Sequence, residues 1–227
     1  MKGQVKDVLF HLELNRIPDI TWWEEYGSLY QGICFDMDGT LLNTEPLHTA
    51  AIWSIIGNKS FELSGEIIEE PHQLNKVLCG LCDRDVYNLL QTSPDLAINF
   101  TVEEFSSQKN IFLFEKCDKE VLSLALVPNM LSFLNYLKEL NIPCVLVSAS
   151  QNKVINSFIT KLGLLDFFIS IIGAESTLLT KPHPEPYILA LESLNLLPQQ
   201  CLAIEDSQTG ITSAHSAGLT VLKATWF

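Results

Sequence analysis

The sequence predicts an α/β protein: a doubly wound parallel sheet flanked by helices, interrupted after its first core strand by a helical insertion. Three observations lead there. Between residues 128 and 222, short apolar runs alternate with amphipathic stretches of about ten residues, the pattern of βαβ units. Between residues 46 and 125 the strand signal vanishes and helical segments follow one another. The strand that precedes this stretch, Gly32 to Met37, is apolar and runs into two carboxylates one residue apart, Asp36 and Asp38.

Taken in order, residues 1–30 form an N-terminal extension. Phe10, Leu12 and Leu14 alternate with His11 and Glu13, which predicts a short half-buried strand. Thr21-Trp22-Trp23-Glu24 has capping-box spacing and predicts a helix from Trp22 towards Leu29, its tandem tryptophans serving as core or docking residues. Residues 31–45 and 127–227 make up the α/β core, and residues 46–126 the helical insertion. Within the insertion, Pro46 opens a helix that runs through Ala51 and Trp53 towards Gly57, and further helices are expected at 65–79, 84–91, 101–116 and 118–125. The fourth of these five opens on the Thr101-x-x-Glu104 capping box. In the core, helices are expected at 129–140, 152–162, 184–194 and 209–217, and strands at 143–148, 167–172, 201–204 and 220–222.

Composition bounds the function. The chain has 227 residues, 47% of them hydrophobic and 18% charged, which is enough to bury a core without staples. A net charge of −13 argues against nucleic acid as a partner, because that binding rests on Lys and Arg. An anionic ligand would need a local metal or lysine. The most apolar segment, Leu162 to Ala174, is interrupted by Gly163, Asp166 and Ser170 and is too short to cross a bilayer. Asp7, His11 and Glu13 break any apolar leader, so a cytoplasmic location is expected. The six cysteines are scattered, and Cys79-Gly80-Leu81-Cys82 lacks a second pair or a histidine pair, so it is read as a structural turn.

The chemistry collects at strand ends, where ligands of doubly wound sheets bind. Asp36 and Asp38 follow the first core strand, Ser148 the second, and Glu205 and Asp206 a later one, while Lys181 lies in the loop after 167–172. Carboxylates with a water shell suit a hard cation such as Mg2+, and an ammonium with a hydroxyl suits phosphate oxygens. An aspartate in such a cluster can attack phosphorus and its neighbour can carry the proton.

These segments are similar to four motifs, in order, of the haloacid dehalogenase superfamily. Phe35-Asp36-Met37-Asp38-Gly39-Thr40 with Leu41 to Pro46 resembles the first, Val147-Ser148-Ala149-Ser150 the second, Lys181-Pro182-His183-Pro184-Glu185-Pro186-Tyr187 the third, and Ile204-Glu205-Asp206-Ser207-Gln208-Thr209-Gly210 the fourth. The likeness is to the branch holding β-phosphoglucomutase and related sugar-phosphate phosphatases. It implies a Rossmann-like core with the insertion as a cap that closes over a small phosphorylated metabolite. It also implies that Asp36 is nucleophile and Mg2+ ligand, Asp38 the general acid/base with its backbone carbonyl on the metal, and Asp206 with Glu205 the rest of the metal site. Ser148 and Lys181 would hold the transferring phosphate, with Thr40, Ala149 and Asn152 beside them, and His48 and Arg84 would reach the substrate from the cap.

The chain departs from the pattern in three places. Asn43 stands where relatives usually have aspartate, and Asp83, beside Arg84, stands where the mutase clamps a second phosphate with arginine. The third departure is that the sequence stops at Phe227, soon after its last strand; the N-terminal strand is therefore expected to cover sheet surface there. An acidic residue at position 83 favours a phosphatase over a phosphomutase. A non-catalytic binding module of the same fold is the alternative from another class.

Overall fold

The computed structural model describes residues 13–14, 20–57 and 59–226. Six strands form one sheet: β1 (Glu13–Leu14), β2 (Gly32–Phe35), β5 (Cys144–Val147), β6 (Ser170–Ile172), β7 (Cys201–Glu205) and β8 (Thr220–Ala224). Their order is β1-β8-β7-β2-β5-β6 and every neighbouring pair is parallel. The chain leaves β2 towards β5 and β6, then returns to the other side of β2 for β7 and β8. The C-terminal ends of β2 and β7 therefore flank the switch point where such sheets open a crevice.

Side chains alternate across the sheet as strand geometry requires. Ile33, Phe35, Leu146, Leu202 and Ile204 face one apolar layer with Phe133, Leu134 and Leu137 of α7 (Met130–Glu139) and Ile155 and Phe158 of α8 (Asn152–Leu162). Cys34, Val145, Val147 and Ala203 face the other, with Tyr187, Ala190 and Leu191 of α9 (Glu185–Leu194) and Ala214 of α10 (Gln208–Ser216). Because both faces are covered, these strands read as continuous apolar runs.

Helix α1 (Ile20–Glu25) packs Trp23 edge-on to Phe133 at 6.0 Å and buries it in the first layer. This helix already includes Ile20 and Thr21, so Thr21 is not the cap that its spacing suggested. β1 pairs in parallel with the outer edge of β8, Glu13 opposite Lys223 and Leu14 opposite Ala224. The rest of the expected strand lies outside the described residues.

Between β2 and α7 run α2 (Glu45–Ile55), a hairpin of β3 (Phe61–Leu63) and β4 (Glu66–Ile68), α3 (Pro71–Leu78), α4 (Asp83–Leu90), α5 (Val102–Lys116) and α6 (Lys119–Ala125). Ile52, Phe61, Leu63, Ile68, Leu74, Val86, Leu90 and Phe105 make a separate apolar core here. Leu113, Cys117 and Leu122 belong instead to the sheet-side layer, so α5 spans both. The hairpin corrects the expected helix over 65–79, which starts only at Pro71. Ser64 and Gly65 both take positive φ, 54° and 83°, the two-residue turn whose twist matches paired strands. The last strand before the Lys181 loop starts at Ser170, later than expected, after a 3-10 turn at Leu165–Phe167. Cys79 and Cys82 cap the two ends of the turn joining α3 to α4, and all six cysteines are free. Among the described residues no helix is long and apolar enough to cross a membrane.

Candidate active site

Each chemical group is delivered by a strand end. The Asp36 N–H extends the β2–β7 ladder by donating to Ile204 O at 3.0 Å, and the Ser148 N–H does the same to Ile172 O at 2.9 Å. The loop carrying Lys181 is tied to α9 through Glu185, whose carboxylate accepts from the Leu178 and Leu179 N–H groups at 3.1 and 3.0 Å.

After Asp36 the chain makes one tight turn, with the Leu41 and Leu42 N–H groups both on Met37 O at 2.9 Å. Gly39 sits at φ 86°, a conformation costly for other residues, and a Cβ there would overlap the Asp206 carboxylate. The close approach lets Thr40 Oγ1 donate to Asp206 Oδ1 at 3.2 Å. Beyond the turn, the strands entering and leaving the insertion are laced together: Asn43 N–H donates to Ala125 O at 2.8 Å and Val127 N–H to Leu41 O at 3.2 Å. Asn43 itself is exposed.

Lys181, 3% exposed, donates to Asp36 Oδ1 at 2.7 Å, Glu205 Oε1 at 2.5 Å and Val147 O at 2.9 Å. Tyr187 OH also donates to Glu205 Oε1, at 2.7 Å, and Ser207 Oγ to Glu205 Oε2, at 3.2 Å. Glu205 thus accepts from three donors. Asp36, Glu205 and Asp206 each present an oxygen within 4.8 Å of the others. Burial and the charge of Glu205 push Asp36 well above the usual carboxylate range, against the pull of Lys181. Burial, then Glu205 and Glu45, push Asp206 up to about 7. Burial alone would lower Lys181, but Asp36 and Glu205 outweigh it and raise it.

Three carboxyl groups share one ammonium, and Asp36 Oδ2 is buried with no hydrogen-bond partner. An all-oxygen set with an orphaned carboxylate oxygen and more acids than bases fits a hard divalent cation such as Mg2+.

Asp38 points elsewhere. Its Oδ1 takes Thr44 Oγ1 and faces His48 Nε2 at 3.1 Å, and its Oδ2 accepts from Ser148 Oγ at 3.1 Å and Ser150 Oγ at 2.8 Å. Burial alone would raise its pKa, but His48, Thr44 and Ser150 outweigh it and hold the carboxyl far below the usual range.

Asp36, Asp38, His48, Ala149 and Lys181 line one cavity of about 40 Å3 between the sheet edge and the insertion. The other expected residues fall around it. Ser148 is buried on Asp38 and on the Ser150 N–H, and Thr40 reaches Asp206 rather than the cavity. Asn152 lies towards the 173–176 loop, 3.4 Å from Ser176 Oγ. Arg84 is exposed and lines a neighbouring groove, because it follows the buried Asp83 on the outer side of α4. Ser150, Glu45, Ser207, Thr49 and Lys109, to which no role was assigned from the sequence, line the same cavity. For Lys109 a signal was present, since it falls on the buried stripe between Phe105 and Leu113, four residues from each.

The chain is similar to known proteins over most of its length. The chain is 29% identical over 192 residues to a phosphorylated carbohydrates phosphatase of Thermotoga maritima, covering 83% of this chain and 82% of that one. It is 26% identical over 190 residues to the fructose-1-phosphate phosphatase YqaB of Escherichia coli, covering 84% and 94%. The fold is shared with CbbY of Rhodobacter sphaeroides, solved with xylulose-(1,5)bisphosphate, at a TM-score of 0.72 and 20% identity, over 87% of each chain. Residues 33–224 match the model of the haloacid dehalogenase-like hydrolases, and the chain belongs to that family.

Proposed function

We propose that the chain is a Mg2+-dependent phosphatase that hydrolyses a small phosphomonoester, a sugar phosphate or a similar metabolite, through an aspartyl-phosphate on Asp36. The observation that carries this reading is the state of Asp36: Lys181 holds one of its oxygens, and the other is buried, unpartnered and surrounded by negative charge.

Asp36, Asp206 and the Asp38 backbone carbonyl, with Glu205 behind them, are the groups that would hold Mg2+. When bound, the ion neutralises the carboxylates and lets a phosphate dianion approach them. The Asp36 carboxylate attacks phosphorus; the P–O bond to the alcohol breaks, and the departing oxygen takes a proton from Asp38. Water then attacks the aspartyl-phosphate, gives its proton back to Asp38, and phosphate leaves with Asp36 regenerated. Thr44, His48, Ser148 and Ser150 keep Asp38 ionised at rest, the form that accepts the water proton. A dianionic phosphate set beside it favours its protonated form for the first half. Lys181 and Ser150 line the cavity and would hold the phosphate oxygens.

We take residues 31–45 and 127–227 as the core and 46–126 as a cap that closes over the ester and excludes water. The names of the Thermotoga and Escherichia relatives support the substrate class. A panel of phosphate esters, assayed for phosphate release with Mg2+ and with EDTA, tests the reading. Release that needs Mg2+ and is lost in Asp36→Asn is expected; release by Asp36→Asn at the wild-type rate refutes the covalent route.

A further inference from the structure

On the phosphatase reading above, we propose that the buried Asp83–Lys109 ion pair selects the substrate by the charge of its remote end, admitting uncharged, hydroxyl-bearing leaving groups and rejecting a carboxylate or a second phosphate.

Lys109 lines the cavity that holds Asp36 and Asp38. The wall it belongs to comes from the insertion, where Ile52, Leu78, Leu81 and Val86 surround it and His48 and Thr49 are the other polar side chains. Of the other basic residues in the lining, Lys181 is bound to Asp36 and Glu205, and His48 faces Asp38. Lys109 is therefore the cation that a substrate's remote end meets. Alone, a buried ammonium there would be a strong site for a second anion.

It is not alone. Lys109 Nζ donates to Asp83 Oδ1, with side-chain exposures of 8% and 11%, and Asp83 opens on the far side towards the adjoining groove. Burial alone would raise the Asp83 pKa, but Lys109 outweighs it and keeps the carboxylate ionised. The pair therefore carries no net charge. An anion arriving at Lys109 meets a carboxylate already bonded to it in a site shielded from water, where like charges repel strongly. An ammonium has three N–H donors, so those beyond the one used on Asp83 suit hydroxyl oxygens, which bring no charge.

The test compares kcat/KM, with Mg2+ present, for glycerol 3-phosphate and fructose 1-phosphate against phosphoglycolate and fructose 1,6-bisphosphate. The wild-type protein is expected to prefer the neutral members by more than about tenfold. Asp83→Asn, checked for folding by circular dichroism, is expected to raise kcat/KM on the anionic members by about tenfold or more relative to the neutral ones. The uncharged pair Asp83→Asn with Lys109→Gln is expected to restore the wild-type ratio. A wild-type ratio of tenfold or less, or a ratio that does not move in folded Asp83→Asn, overturns the proposal. If Asp83→Asn does not fold, the wild-type ratio and the double variant decide. Turnover of some esters with the wrong ratio sinks this proposal alone, whereas no Mg2+-dependent turnover of any ester sinks the phosphatase reading with it.

Discussion

Replacing Lys181 by methionine removes the ammonium that binds Asp36 at 2.7 Å and Glu205 at 2.5 Å while keeping most of the buried stem. At an effective dielectric of about 20, each contact carries an attraction of about 6 kcal/mol, most of which repays the desolvation of the charges. The net loss on breaking such a buried pair is about 3–5 kcal/mol. The site limits this loss itself, because Asp36 is already biased towards its neutral form and can take up a proton. For a chain of this size, 3–5 kcal/mol corresponds to a fall in melting temperature of about 6–20 °C. Measured by circular dichroism in EDTA and again in 10 mM Mg2+, the variant is expected to melt well below wild type in EDTA. It should recover more than wild type on adding the cation, since the ion then replaces a missing charge as well as binding. Hydrolysis in Mg2+ should fall by about 100-fold or more, because a charge-assisted contact to the phosphate is lost. A melting temperature within 2 °C of wild type in EDTA, with equal Mg2+ responses, would refute the electrostatic account of the cluster.

Other perturbations separate chemistry from folding. Asp36→Asn should abolish turnover yet leave the melting temperature equal or higher in EDTA, since it relieves a buried carboxylate facing Glu205. Asp38→Asn should lower turnover by about 100-fold or more, the usual weight of a positioned proton carrier, with phosphate release as the readout. Trp23→Ala should cost about 3–5 kcal/mol in urea unfolding, because its ring is buried against Phe133; a loss under 1 kcal/mol would show that α1 does not dock on the core. Asp83 is held below its usual pKa in the fold, so its contribution is present above about pH 4 and lost as pH falls through the folded value. Asp83→Asn should therefore be less stable than wild type at pH 7, and the gap should narrow on acidification below about pH 4.

Much of this was legible because it is local. The buried parallel strands are short apolar runs, since both sheet faces are covered. The Thr101–Glu104 box fixes the start of α5 through contacts three residues apart, and Gly39 marks the turn that carries Asp36 and Asp38. The hairpin was missed because Glu66 to Glu69 reads equally well as a helical turn, and only the positive φ at Ser64 and Gly65 pairs β3 with β4. Arg84 and Asp83 are adjacent in sequence, and the α4 packing alone decides that the acid is buried and the base exposed.

The sequence by itself determined which strand ends carry carboxylates, hydroxyl and ammonium, because residue type and short-range periodicity decide that. Tertiary structure alone decided how they pair. Lys181 meets Asp36 across 145 positions and Asp83 meets Lys109 across 26, so neither partner leaves a mark on the local pattern of the other. Whether a buried charge is neutralised or left for a ligand depends on such long-range contacts, and that is why the acidic strand ends could be picked from the sequence while the Asp83–Lys109 pair could not.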